Sequence, residues 1–161
     1  MAPVVVFAGL AVVLFACAFI SRRRFGLLGL ALAAGATLST IWSYDAGLVV
    51  SSTGLVPDGV MTQAVTQSLV VLLPAMLLLF HGYAYKNTMS RLVGALLFTA
   101  LALAFLVEPI GYALPLEGVG AQVYDTLKAY KDVVISGGVV LAVVDLFFTK
   151  PAHLAEKLKK H

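Results

Sequence analysis

Long apolar runs constrain this chain more than any other feature. Of its 161 residues, 61% are hydrophobic and 12% are charged, whereas about a quarter of the residues in an ordinary soluble domain are charged. A helix that crosses the hydrocarbon core of a bilayer needs about 20 apolar residues. Five stretches approach that length, at residues 3–20, 25–42, 61–83, 92–107 and 133–149. Because backbone amides in lipid must be satisfied within the segment, we predict one all-α domain, a polytopic transmembrane helical bundle of about five spans.

Lysines and arginines predict the orientation of this bundle. Three arginines occupy the turn at residues 22–24, and basic residues in short loops favour the cytoplasmic side. Five crossings would bring the link between the third and fourth spans, and the basic tail 150–161, to the same side. Nine of the eleven basic residues are then inside, and Lys128 and Lys131 are outside. We therefore predict a multi-pass protein of the plasma (inner) membrane, with its N-terminus outside and its C-terminus inside.

The two longest connections fall on the predicted outer side. Residues 43–59 are semi-polar and contain a Pro-Asp-Gly turn signal, so we expect a segment that lies at the membrane interface. Residues 118–131 place Val123, Leu127 and Tyr130 at helical spacing. This pattern predicts a short amphipathic helix at the level of the outer headgroups.

Small residues predict how the helices pack, since close approach in lipid depends on short side chains. The second span has two such rows, and we therefore place it at the centre of the bundle. The predicted packing residues are Gly29, Ala33, Gly35 and Ser39 in the second span and Gly138 and Ala142 in the fifth. In the third span, Pro74 removes one backbone donor and predicts a kink near Val70.

Asp145 is the main ionisable residue inside an apolar run. It shares a helix face with Gly138 and Ala142, so its side chain should point into the bundle. A hydrogen bond to His81, or to Arg91, would reduce the cost of placing a carboxylate at membrane depth. We predict a structural polar clamp, with a proton or ion relay and exposure in a shallow inner vestibule as alternatives.

Two glutamines open the third span at its predicted outer end. Gln63 and Gln67 are one turn apart and are candidates for lining an outer cleft. Alternatively, they bond to the preceding connection or to backbone groups at the interface.

Several activities are disfavoured by the residues present. Cys17 is the single cysteine, which excludes an internal disulfide and a cysteine-based metal site. A haem between helices needs two axial histidines at membrane depth, where only His81 lies. Asp145 has no facing acid for an aspartyl protease, and the basic residues cluster beside apolar runs in a pattern typical of membrane surfaces. We predict no catalytic residue, cofactor, metal or nucleic-acid binding, and hence no enzyme.

The first four spans resemble the bacterial colicin V production protein family, over about residues 4–106. The resemblance rests on the turn "RRRFG" at 22–26, the small-residue-rich second span and "SRLVGALLF" at 90–98, in which Arg91 and Gly94 resemble the family's Arg-x-x-Gly. Residues 98–103 lack the later Gly and Arg of many members, and the fifth span and tail also differ. The resemblance implies a role in envelope homeostasis or export support.

Two functions follow from these expectations. The first is a structural or accessory component of an envelope or export-related system. Its partners would be the bilayer, with anionic headgroups at the inner basic clusters, and other membrane proteins or a second copy. The alternative is a small transporter or channel subunit with Asp145 and His81 as an inner polar site.

Overall fold

The computed structural model describes residues 2–52, 59–80, 85, 87–113 and 118–147. These residues form five α-helices, and no β-strand occurs among them. The all-α prediction is therefore confirmed. The helices are α1 Ala2–Ser21, α2 Phe25–Ser52, α3 Val60–Phe80, α4 Thr88–Ala113 and α5 Val119–Phe147.

The helices extend beyond several predicted spans. α2 continues past Trp42 to Ser52, so the expected interface segment 43–59 begins as helix, and its residues 53–58 lie outside the described part. α4 continues through Pro109 to Ala113. α3 is uninterrupted at Pro74, where the kink stays a prediction.

α5 joins two elements that the sequence suggested were separate. The expected amphipathic helix 118–131 and the described part of the fifth span belong to the same helix, Val119–Phe147. The polar residues around Lys131 and Asp132 therefore do not interrupt it. Backbone hydrogen bonds continue through such a segment because lysine is a good helix former and aspartate costs little in one position.

α4 is the central helix, which corrects the expectation that the second span holds this position. α4 packs against each of the other four helices, and α1, α3, α2 and α5 surround it in that order, each packed against the next. The small-residue rows of α2 do give it several neighbours, namely α3, α4 and α5. Small residues indicate how closely two helices approach each other. The number of neighbours that a helix has depends instead on its position in the bundle.

The buried core follows from this arrangement. Large side chains of α4 are enclosed on several sides, and Leu101 and Leu106 are almost completely buried. α2 contributes four buried residues to the main cluster, α1 and α3 contribute two each, and α5 contributes one. The main cluster is Leu14, Ala18, Phe25, Leu28, Ala31, Leu32, Val71, Ala75, Ala95, Phe98, Leu101, Ala102, Leu106 and Ala142.

The outer surface of the bundle is apolar, as expected of an integral membrane protein. α1 to α4 are each long and apolar enough to cross a membrane. α3 exposes a stripe at helical spacing, and α5 exposes its apolar residues near its C-terminal end. These side chains are Val65, Leu69, Leu73, Leu77 and Phe80 on α3 and Val140, Leu141, Val143, Val144 and Phe147 on α5.

α5 runs along the whole bundle. Its Asp145 contacts Gly26 at the start of α2, and its Lys131 contacts Glu108 near the far end of α4. We call the first region the arginine end, defined by residues 22–24 and Arg91, and the second the Glu108 end. Arg91 and Glu108 lie about 25 Å apart along α4 by helical rise, which is close to the thickness of a bilayer core.

Candidate functional site

The arginine end is organised by the turn between α1 and α2. The chain reverses at Arg22, which has a φ of 57° and therefore lies in the left-handed region. A non-glycine residue in this region carries a modest conformational cost. The Arg22 carbonyl accepts a 2.8 Å hydrogen bond from the Tyr85 amide. The link between α3 and α4 thus holds the turn in place.

Arg23 caps the C-terminal end of α3. Its Nε donates to the Leu79 carbonyl at 3.0 Å, and one terminal guanidinium nitrogen donates to the Phe80 carbonyl at 2.8 Å. The last carbonyls of a helix have no partner within the helix and carry the negative end of its dipole. A guanidinium at this position therefore satisfies two acceptors and adds a favourable charge–dipole interaction.

Arg91 caps α1 in the same way, and this was not expected. Its guanidinium donates to the Phe19 carbonyl at 2.8 Å and lies 4.5 Å from the centre of the Phe19 ring. Both contacts hold the start of α4 against the end of α1. Of the two partners suggested for Asp145, Arg91 is thus bonded to α1, and His81 lies outside the described residues.

Asp145 caps the N-terminal end of α2. Its Oδ2 accepts a 2.9 Å hydrogen bond from the Gly26 amide, in the first turn of that helix. The Tyr85 hydroxyl lies 3.3 Å and 3.4 Å from the two carboxylate oxygens and accepts a 3.1 Å hydrogen bond from the Phe25 amide. The positive end of the helix dipole favours a carboxylate here. Asp145 therefore ties α5 to α2 through the cap, and its partners there are Gly26 and Tyr85.

Tyr85 has the protonation state that this arrangement needs. Burial raises the pKa of its hydroxyl above the ordinary value, so the group stays protonated and donates to Asp145. The Arg24 guanidinium lies 5.7 Å from the centre of the Tyr85 ring, within the range of a cation–π contact. The Tyr85 ring also packs on Gly94, where an added Cβ would lie 2.7 Å from ring carbon Cε2.

Glycines allow α5 to approach α2 closely enough for the hydrogen bond between the Gly26 amide and Asp145. A Cβ at Gly26 would lie 2.6 Å from the Ala142 carbonyl oxygen and 2.9 Å from Oδ2 of Asp145, and one at Gly29 would lie 2.9 Å from the Ala142 Cβ. Real Cβ atoms do not approach neighbours this closely. The absence of side chains at these two positions is therefore a condition for the cap.

Most of the other predicted packing residues contact a neighbouring helix, and Ala33 is partly exposed. Gly35 meets the backbone of Val71 on α3, and Gly138 meets the Leu101 side chain on α4. Ser39 is buried, whereas Ala33 is only half-buried, because its row turns away from the neighbouring helices after Gly29.

A second candidate site lies at the Glu108 end, where a cavity of about 380 Å³ opens between α2, α3, α4 and α5. Gln67 lines this cavity together with Ser39 and Thr40. Gln63, its predicted companion, is exposed and is not part of the lining. Lys131 of α5 and Glu108 of α4 also line it and form an ion pair with a hydrogen bond.

The sequence reading missed Tyr85, Gly26 and Arg23 as members of the arginine end. The three arginines were expected only as a topology signal, and Tyr85 was not among the predicted site residues. A usable signal was the Phe25–Gly26 pair directly after the arginines, because the amides of a first helical turn need an acceptor. Within the described residues, no group of three or more His, Cys, Asp or Glu side chains could hold a metal ion.

Compared with family models, curated proteins and solved structures, the chain shows no match.

Proposed function

We propose that the chain is a non-enzymatic integral membrane protein, a structural or accessory component of an envelope or export-related system. In this proposal it lies in the plasma (inner) membrane, with the arginine end on the cytoplasmic side. α5 is the fifth crossing. Its last 18 described residues, 130–147, are more charged than those of the other crossings, because they contain Lys131, Asp132 and Asp145. Two features nevertheless support a crossing: α5 extends from the Glu108 end to the arginine end, and it exposes apolar side chains between them.

One observation carries the proposal: three of the charged side chains described at the arginine end are bonded to helix termini. Arg23 serves α3, Arg91 serves α1 and Asp145 serves α2. Such contacts fix the ends of helices against one another and stabilise a rigid bundle. A rigid, apolar bundle is suited to holding other membrane proteins, or a second copy, against its lipid-facing helices. The resemblance of residues 4–106 to the colicin V production protein family supports an envelope or export-related setting.

The alternative is a small transporter or channel subunit that uses Asp145 and His81 as an inner polar site. This role needs a carboxylate that can release its contacts as the transported ion or proton passes. Asp145 instead accepts hydrogen bonds from Gly26 and Tyr85, and these two contacts hold its carboxyl group in place. The geometry therefore favours the accessory role.

An Asp145→Asn variant discriminates between the two functions. Asparagine keeps an acceptor oxygen for the Gly26 amide but cannot carry a proton or charge. We expect purified wild-type protein and Asp145→Asn to show the same background proton and ion flux in liposomes. In cells that lack the gene, we expect both to restore the barrier of the envelope to an impermeant dye. Flux in the wild type that Asp145→Asn abolishes, with the bundle still folded, would support transport and contradict the accessory role.

A further inference from the structure

The cavity at the Glu108 end contains polar groups that the protein itself does not satisfy. Among the described residues, the hydroxyl of Ser39 and the amide of Gln67 make no side-chain hydrogen bond, and neither is a fully buried polar atom, so both remain accessible from the cavity that they line. Thr40 differs, because its hydroxyl donates to carbonyls of its own helix. A few accessible polar groups in an otherwise apolar cavity can fix the orientation of a small ligand. The cavity therefore favours an occupant that can hydrogen-bond to Ser39 and Gln67.

The charges that line the cavity cancel. Glu108 and Lys131 pair with each other, and their side chains keep 48% and 20% of their surface exposed, so an occupant can reach both. An occupant with one net charge would satisfy one member of the pair and leave the other without its partner. A zwitterion can instead place an ammonium group beside Glu108 and an oxyanion beside Lys131.

The size of the cavity suits a small occupant. Its volume of about 380 Å³ is near the lower end of ligand pockets, which span about 300–1,000 Å³. Its apolar lining, which includes Val71, Ala104 and Ile135, leaves room for a short carbon chain beside the polar groups.

We propose that this cavity binds a zwitterionic group, with its ammonium at Glu108, its oxyanion at Lys131 and its remaining polar atoms hydrogen-bonded to Ser39 and Gln67. Two sources supply this chemistry: a free small zwitterion, such as a neutral amino acid, and the headgroup of a zwitterionic lipid. The site is independent of the cap at Asp145, and its failure leaves the accessory role unaffected.

The test uses the full chain in nanodiscs of purely anionic phosphatidylglycerol, which supply no zwitterion. L-alanine and glycerophosphoethanolamine are titrated as soluble probes, and phosphatidylethanolamine is added to a second set of nanodiscs. The readout is the midpoint of thermal unfolding, with calorimetric titration of the soluble probes. If the occupant is a free small zwitterion, we expect a soluble probe to raise the unfolding midpoint of the protein in a saturable way. If the occupant is a lipid headgroup, we expect only phosphatidylethanolamine to raise it. The net-charged probes ethanolamine and glycerol phosphate should bind at least tenfold more weakly.

Matched variants identify the cavity as the place of binding. Gln67→Leu and Ser39→Ala should each weaken the response at least tenfold, and Ser39→Ala is mild enough to preserve folding. Gln63→Leu makes the same change as Gln67→Leu one turn away on an exposed position, and it should respond like the wild type. The proposal is overturned if no zwitterion stabilises the protein, or if Gln67→Leu and Gln63→Leu respond alike.

Discussion

Gly35→Ala is expected to destabilise the bundle by about 3 kcal/mol, at the upper end of the cost of overpacking a core. An added Cβ would lie 2.1 Å from the carbonyl oxygen of Val71 and 2.8 Å from its carbonyl carbon. These are backbone atoms of α3, so no side-chain rotation can relieve the clash. α2 and α3 would have to separate, and the buried contacts along both helices would weaken together.

The measurement is the free energy of unfolding in mixed detergent micelles, for a set of glycine-to-alanine variants. Gly9→Ala is the matched control, because nothing lies within 4 Å of its added Cβ and alanine favours a helix. Gly138→Ala should fall between the two, since the atoms it meets are the flexible end of the Leu101 side chain. Equal stability of the Gly35 and Gly9 variants would contradict the close contact between α2 and α3.

Asp145→Ala should cost about 2–3 kcal/mol of unfolding free energy. Loss of a helix N-cap costs about 0.5–2 kcal/mol, and a hydrogen bond to a charged group contributes about 1.5–3 kcal/mol. Both contributions involve the same carboxylate, so they overlap and do not add. The Gly26 amide and the Tyr85 hydroxyl would lose an acceptor in a partly buried position.

Asp145→Asn should lose less than half as much unfolding free energy as Asp145→Ala, because the amide oxygen of asparagine can still accept a hydrogen bond from Gly26. Asp125→Ala is the control, since Asp125 is exposed on the same helix, and it should stay within about 0.5 kcal/mol of the wild type. The same unfolding measurement serves for all three variants. A loss in Asp125→Ala equal to that in Asp145→Ala would show that the cap contributes nothing specific.

The helices could be predicted because lipid restricts the chain. An apolar run at membrane depth must satisfy its own amides, which makes helix the expected state for residues 3–20 or 61–83 whatever their neighbours are. Helix ends are less constrained. α2 continues to Ser52 and α4 to Ala113 because semi-polar residues beyond the apolar run still complete the helical hydrogen bonds.

The partners within each site were harder to predict. The position of Asp145 in the fifth span indicates its depth, but its partner Tyr85 belongs to the link between α3 and α4, about 60 residues away along the chain. The number of crossings places this link and the link between α1 and α2 at the same end, but whether they touch depends on the order of the helices around α4. The sequence indicates that order only through small residues. Such residues, for example Gly35, predict that another helix approaches closely but do not identify which helix it is.

The cavity at the Glu108 end was only partly predicted, because its charged pair joins two helices whose contact the sequence did not indicate. Glu108 directly follows the predicted fourth span 92–107, and Lys131 is the last residue of the predicted surface helix 118–131. Because α5 is continuous, Lys131 instead faces α4 and pairs with Glu108 beside Gln67. Of the two glutamines suggested for a cleft, Gln67 lines the cavity and Gln63 does not, and the charged pair became apparent only from the path of α5.

The central claim is that α5 crosses the membrane, with its two ends on opposite sides. Cysteine labelling tests this claim directly in a Cys17→Ala background, which removes the chain's single cysteine. Asp125→Cys and Phe147→Cys place one thiol at exposed positions near either end of the helix. In intact spheroplasts, a membrane-impermeant maleimide should label Asp125→Cys at once and Phe147→Cys only after permeabilisation. Labelling of both thiols from the same side would contradict the crossing.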